Sequence, residues 1–176
     1  MQASSGSNQI FYHGSNHIIK NFNFENVNAK NINEAGPGIY FSSSKKDASM
    51  YGKYIYQVTI KITKRRILPE KKNFTPNFVR QLIKKSPDLD DILLDWAEDP
   101  KIALNTAVDS IFNAYGPNQY KKVMDTIWYD FFKGREEIWL ELLRTNGWDG
   151  FLTIRTKDVT HFICYNTDTI KDFTLV

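Results

Sequence analysis

Three short segments of this 176-residue chain concentrate side chains that can do chemistry: residues 12–15, 36–51 and 160–166. In the second segment, Tyr40 and Tyr51 flank a predicted strand-to-helix turn that could fold one ring over the other. Paired tyrosine faces bind a flat, electron-poor or cationic ring by stacking and by cation–π attraction. These residue types suit a pocket for such a ring.

Two common classes of site are not indicated by the sequence. It has no Gly-x-Gly-x-x-Gly and no Gly-x-x-x-x-Gly-Lys-Ser/Thr motif, so neither familiar phosphate-binding loop is predicted. His13 and His17 are four residues apart but fall in a predicted strand and loop, so the three histidines have no helical i, i+4 pairing. The chain has a single cysteine, Cys164, and no metal site is therefore expected. The net charge of +3 is small for a protein that binds a phosphate backbone, and nucleic acid is therefore not indicated as a partner.

The three segments lie at the ends of predicted strands. Runs of β-branched and aromatic residues predict strands at 10–13, 39–42, 54–62, 151–154, 161–165 and 173–176. The break at residues 36–38 precedes the second strand, and a helix capped by Ser43 or Ser44 is predicted to run from there through Tyr51. Gly14 follows the first strand, where a glycine lets the backbone approach a ligand closely.

The middle of the chain predicts helices. Thr75-Pro76, Ser86-Pro87 and Asp99-Pro100 each place a capping side chain before a proline, which is a helix start signal. Two further helices are predicted over residues 117–132 and 135–145. Because the strands flank the helices instead of alternating with them, the sequence predicts an α+β fold with a helical insertion at about 69–146.

The ends and the composition bound the architecture and the compartment. Residues 1–8 are small and polar and predict a disordered tail, and residues 9–176 predict a single domain. The sequence shows no signal peptide and no apolar run of membrane-spanning length. We therefore expect a cytoplasmic protein with no membrane partner.

Taken together, the three segments resemble the ADP-ribosyltransferases of the diphtheria-toxin and poly(ADP-ribose) polymerase type, the H-Y-E type. That family has a His-Gly-Ser/Thr strand end, a Gly-x-Gly-Ile-Tyr-Phe strand with a second tyrosine on the next helix, and a late strand with a glutamate. The match over residues 36–51 has no gaps, and the resemblance covers about residues 9–63 and 147–176. It implies split antiparallel β-sheets with a helical insertion, and NAD as co-substrate.

The resemblance also implies roles for individual residues. Tyr40 and Tyr51 would hold the nicotinamide ring between them, and the backbone of Gly14 would supply the donor and acceptor that a carboxamide needs. His13 would bond the adenine-side ribose, and Ser15 would support the edge of the pocket.

Some relatives add a serine hydroxyl from the helix to the carboxamide contacts. In this chain Ala48 is in register with that serine, and Ser49 beside it is the substitute candidate.

The third segment departs from the family, because His161 aligns with the glutamate. A neutral imidazole can accept a hydroxyl hydrogen bond but brings no negative charge to the cationic ribose. Chain elongation to poly(ADP-ribose) is therefore not expected. Asp158, in the polar turn before this strand, is the predicted catalytic acid. Two alternatives stay open: Asp158 is an ordinary turn residue, or His161 participates directly.

The function predicted by these residues is NAD-dependent mono-ADP-ribosylation of a macromolecule, with a target protein as the acceptor. The alternatives are a catalytically inactive module that binds NAD, ADP-ribose or a partner, and an NAD glycohydrolase. The small size and the composition rich in asparagine and lysine are compatible with a phage or bacterial effector, which would then act in the host cytoplasm.

Overall fold

The structure is a computed structural model that describes residues 6–26, 36–68, 75–116 and 119–176. Its strands are β1 Ser7–Ser15, β2 Ile39–Ser42, β3 Tyr54–Ile62, β4 Ile67–Leu68, β5 Gly150–Thr156, β6 Val159–Cys164 and β7 Ile170–Leu175. Its α-helices are α1 Lys45–Ala48, α2 Pro76–Ile83, α3 Leu89–Leu94, α4 Pro100–Tyr115, α5 Tyr120–Ile127 and α6 Glu136–Thr145. The α+β class is confirmed.

The chain divides into two compact units. One comprises Met1–Asn28, Gly38–Pro69 and Leu143–Val176, and the other comprises Ala29–Pro37 and Glu70–Leu142. The first unit contains the sheet and all the segments that the sequence singled out for chemistry except residues 36 and 37. The second contains α2–α5 and falls almost entirely inside the predicted insertion. Whether residues 9–176 form a single domain stays a prediction.

The strands form one seven-stranded sheet in the order β4-β5-β6-β2-β1-β3-β7. Its neighbours are antiparallel except for β4 and β5. β1 pairs with β3 along its whole length, whereas the pair Tyr12–Ser42 is the one register match between β1 and β2. The strands β4-β5-β6-β2 and β1-β3-β7 are therefore connected by one pair in strand register. The split into separate sheets, which the resemblance implied, is not confirmed.

Alternation along the strands assigns the two faces of the sheet. Phe11, Phe41 and Phe162 belong to one buried cluster, and the rings of Phe11 and Phe41 lie 5.8 Å and 6.5 Å from that of Phe162. Residues one position away point to the opposite face. Tyr40 and His161 are such residues, so the core on one face fixes the strands that carry site residues on the other.

The sequence predicted most of the elements with small errors at their ends. β2 and β3 have the predicted bounds, and Ser44 is the N-cap of α1, as one of the two candidates. The helix α1 ends at Ala48 and not at Tyr51. β1 begins at Ser7, inside the predicted tail, because pairing with the long β3 needs only backbone groups. Residues 1–5 lie outside the described residues.

The helix start predicted at Ser86-Pro87 is wrong. The Ser86 hydroxyl donates a hydrogen bond to the Phe131 carbonyl at 2.6 Å, so it does not cap a helix, and α3 begins at Leu89. The starts at Thr75-Pro76 and Asp99-Pro100 are confirmed. The predicted start at Pro117 lies outside the described residues.

Within the described residues, none of the helices is long and apolar enough to cross a bilayer. The same residues contain no group of three or more His, Cys, Asp or Glu side chains placed to hold a metal ion.

Candidate active site

Three side chains meet where α1 packs beside β6. His161 Nε2 lies 2.7 Å from Asp47 Oδ2, and both residues are buried. The Tyr51 ring stands edge-on to the imidazole, with its centroid 6.3 Å from that of His161, and it is 50% exposed. A buried imidazole–carboxylate pair therefore lies beneath an accessible aromatic ring.

The turn between β2 and α1 brings Asp47 to His161. Ser43 N–H donates to the Thr160 carbonyl at 2.9 Å, and Thr160 N–H donates to Ser43 Oγ at 2.9 Å. These two bonds fix the start of α1 to the residue that precedes His161 in β6. The first turn of the helix then spans the distance to the imidazole.

Local capping directs the Asp47 carboxylate toward the imidazole. Ser44 caps α1 by accepting the Asp47 N–H at Oγ, 3.3 Å away. In a capping box, the carboxylate at this helix position reaches back to the N–H of the capping residue. Here the Ser44 N–H already donates to Ser42 Oγ at 3.1 Å. The carboxylate of Asp47 is bonded to His161 instead.

Tyr40 and Tyr51, the two tyrosines predicted to hold a ring between them, both lie next to His161. Ser42 is the strand partner of His161, and Tyr40 is the partner of Ile163. Opposed residues of antiparallel strands share a face, so Tyr40 is a diagonal neighbour of His161 on the sheet surface. Since Tyr51 contacts the same imidazole from the side of α1, the structure places His161 next to both tyrosines.

His13 occupies the place where β1 and β2 separate. Beyond the pair Tyr12–Ser42, the Tyr40 carbonyl accepts a hydrogen bond from His13 Nδ1 at 2.8 Å. The ring of His13 packs edge-on against Phe22 at 5.2 Å, and it lies on the core face. His13 and His161 are therefore on opposite faces of the sheet. The bond to Tyr40 makes Nδ1 the donor of a neutral ring and leaves Nε2 as an acceptor.

Burial lowers the pKa of His13 below its ordinary value, and the hydrogen bond to Tyr40 raises it only partly back. The unfolded chain therefore binds a proton at higher pH than the folded chain does. The contribution of His13 to stability is fully present above the unfolded chain's pKa of about 6.5, and it is lost progressively as the pH falls from there through the lower pKa of the folded chain.

We expect the free energy of unfolding of the wild type to fall more between pH 7.5 and 5.5 than that of His13→Gln. Urea unfolding at several pH values measures both slopes. Identical pH dependence of the two proteins would contradict this assignment.

Gly14 and Gly52 allow α1 to approach the end of β1. A Cβ added to Gly14 would collide with the Ala48 carbonyl oxygen, and one added to Gly52 would collide with the backbone of Ser15. The structure thus gives Gly14 a packing role. Its predicted contacts with a carboxamide stay a prediction.

The two predicted serines make local hydrogen bonds. Ser15 Oγ accepts the His17 N–H at 3.1 Å, and Ser49 Oγ donates to the Lys46 carbonyl at 2.7 Å. The Ser49 hydroxyl proton is therefore used by the end of its own helix, and Ala48 is buried. Neither observation tests the roles predicted for these serines.

Asp158 lies in the hairpin turn between β5 and β6, next to the pair Thr156–Val159, and it is exposed. The carboxylate that contacts His161 is that of Asp47, which the sequence analysis did not select. The available signal was the pattern Ser44-x-x-Asp47, with Tyr51 four residues further on.

A match to a family model establishes the family of the chain. The model of the ADP-ribosyltransferase family of polyvalent proteins (ART-PolyVal) matches residues 4–174. The chain belongs to this ADP-ribosyltransferase family. The match covers the site segments and the helical insertion alike, and the H-Y-E subtype implied by the resemblance is not confirmed.

The curated proteins and the solved structures do not add to this family assignment. No curated protein matches the sequence. Among solved structures, a crystal structure of an anti-CRISPR protein aligns with 99% of this ADP-ribosyltransferase-family chain and 100% of its own, at 13% sequence identity and a TM-score of 0.40.

Proposed function

We propose that this chain transfers a single ADP-ribose from NAD to a protein acceptor. The observation that carries the proposal is the meeting of Tyr51, His161 and Asp47 on the sheet face that also bears Tyr40, in a chain of an ADP-ribosyltransferase family. The half-exposed ring of Tyr51 gives a ligand access to this cluster.

β1 and β2 share one register pair, Tyr12–Ser42, and separate beyond it. This separation beside Tyr40 supports an NAD site at that point of the sheet. The nicotinamide ring lies between Tyr40 and Tyr51, and its carboxamide bonds the backbone of Gly14. His13 lies on the core face beside the point where β1 and β2 separate, so its Nε2 is assigned to a hydroxyl of the adenine-side ribose on the condition that NAD passes between these two strands.

The chemistry is heterolysis of the bond between C1′ of the ribose and N1 of nicotinamide. The bonding electrons leave with neutral nicotinamide, and a nucleophile of the acceptor forms the new bond to C1′. The proton that this nucleophile loses passes to solvent. The products are ADP-ribosylated protein, nicotinamide and one proton. His161 faces the ribose, where a neutral imidazole accepts a hydroxyl hydrogen bond.

Incubation of the chain with a cell extract and NAD labelled in its adenylate phosphate tests this function. We expect label on protein and release of nicotinamide. Free ADP-ribose alone would show an NAD glycohydrolase, and NAD binding without release of nicotinamide would show a binding module. Either result would overturn the proposal of transfer.

Replacing Tyr51 with alanine is expected to weaken NAD binding about tenfold, because one stacking and cation–π surface is lost. The exposed ring makes a folding defect small. Tyr51→Phe keeps the aromatic face and should stay within about twofold of the wild type. Isothermal titration with NAD measures both affinities.

The matched control for this prediction is Tyr129→Ala, since Tyr129 is 51% exposed and belongs to the other compact unit. It should bind NAD like the wild type. Unchanged affinity in Tyr51→Ala would remove Tyr51 from the binding site.

A further inference from the structure

We propose that Asp47 and His161 form one functional unit, in which His161 contacts a hydroxyl of the nicotinamide ribose and Asp47 orients the imidazole and supplies negative charge. The inference rests on the proposed function and names the groups that replace the glutamate implied by the resemblance. In these terms His161 is a catalytic residue, and Asp47 is a positioning residue.

The hydrogen bond fixes which nitrogen of His161 can serve a substrate. The Asp47 carboxylate can only accept, so His161 Nε2 carries the proton at the 2.7 Å contact. In the neutral imidazole the other nitrogen, Nδ1, is then a hydrogen-bond acceptor. A ribose hydroxyl, which is a donor, is the matching group.

The acceptor nitrogen is not engaged by the protein. Within the described part of the chain, Nδ1 of His161 has no hydrogen-bond partner, and the residue as a whole is 9% exposed. The Tyr51 ring stands edge-on to the same imidazole with centroids 6.3 Å apart, so a nicotinamide stacked on Tyr51 brings its ribose close to His161.

The pair also restores the missing charge. When the imidazole is neutral and the carboxylate is ionised, the pair as a whole carries one net negative charge, as an ionised glutamate does. Asp47 is 8% exposed, and a buried charge acts more strongly on a developing cation than a solvated one. The lysines that precede it in α1, Lys45 and Lys46, are exposed and do not share this burial.

A purely structural role is the competing explanation, because the pair also ties α1 to β6. The two explanations differ in what Asp47→Asn does to the folded protein. A structural tie changes the stability only. A positioning residue changes kcat and leaves KM nearly unaltered, since it acts on the transition state rather than on binding.

The experiment measures nicotinamide release from NAD by the full chain. We expect Asp47→Asn to lower kcat about 100- to 1,000-fold with KM within about threefold. Asp47→Glu keeps the charge and should recover at least about tenfold of that loss. Asp109→Asn, an exposed aspartate on α4, is the matched control and should equal the wild type.

A second measurement does not depend on activity. Nitrogen-15 NMR of the histidine ring should show His161 protonated at Nε2 in the wild type, with that tautomer lost or mixed in Asp47→Asn. A wild-type ring protonated at Nδ1 would overturn the proposal, and so would an Asp47→Asn variant with wild-type kcat.

These outcomes separate this proposal from the proposed function. A wild-type chain that releases no nicotinamide would overturn the function and this inference with it. A wild type that releases nicotinamide, together with unaffected Asp47 variants, would overturn this inference alone.

Discussion

His161→Ala is expected to release nicotinamide from NAD about 100- to 1,000-fold more slowly than the wild type, which is the usual consequence of removing one preorganised polar group from a charged transition state. The imidazole lies next to both tyrosines that are proposed to hold the nicotinamide ring. It also bonds Asp47 and so links the carboxylate to the proposed ribose position. NAD affinity should change little, because stacking on Tyr40 and Tyr51 remains.

The substitution also leaves the buried Asp47 carboxylate without its partner, which destabilises the fold. Circular dichroism therefore has to show a native spectrum at the assay temperature. His17→Ala is the matched control, since His17 is an exposed histidine whose backbone N–H, not its ring, makes the hydrogen bond. Activity of folded His161→Ala within threefold of the wild type would refute the role of the imidazole.

Asp149→Ala is expected to lower the free energy of unfolding by about 3 kcal/mol, from lost hydrogen bonds to a charged group. The buried carboxylate accepts from Arg66 Nε at 2.6 Å and Nη2 at 2.8 Å, and from Asn166 Nδ2 at 3.0 Å. The Arg66 side chain is 45% exposed, so the ion pair itself contributes little and the hydrogen bonds dominate.

The location of Asp149 explains why the effect is large. Its backbone N–H donates to the Arg66 carbonyl at 2.7 Å, and its carbonyl accepts the Tyr165 N–H at 2.8 Å. One residue thus connects the segments around β4, β5 and β6 at the edge of the sheet. Urea unfolding measures the change, with Asp109→Ala as the control expected to stay within about 0.5 kcal/mol of the wild type. A loss below about 1 kcal/mol would contradict the role of the network.

The elements that the sequence predicted well are those whose signal is local. β3 alternates in burial from Tyr56 to Ile62, and Ser44 and Thr75 cap helices through contacts with residues three positions away. β4 was missed because it has only two residues and exists through its pairing with β5. Ser86 likewise donates its hydroxyl to the distant Phe131 carbonyl and so does not cap the helix that the sequence predicted there.

In the site, too, residues that belong to local motifs could be predicted, whereas contacts between distant segments could not. The tyrosines and His161 could be selected from motifs. The pattern Ser44-x-x-Asp47 did not single out Asp47, because a carboxylate in the first turn of a helix is typical of capping, and the actual partner of Asp47 lies 114 residues away. The placement of the two histidines on opposite faces depends on strand register, which the separate motifs do not contain.

A structure of the chain with a non-hydrolysable NAD analogue, in which a carbocycle replaces the nicotinamide ribose ring, is the decisive experiment for this site. We expect the pyridinium ring between Tyr40 and Tyr51, with a hydroxyl of the carbocycle at hydrogen-bonding distance from Nδ1 of His161. An analogue bound elsewhere, or a pyridinium ring in contact with neither tyrosine, would contradict this expectation.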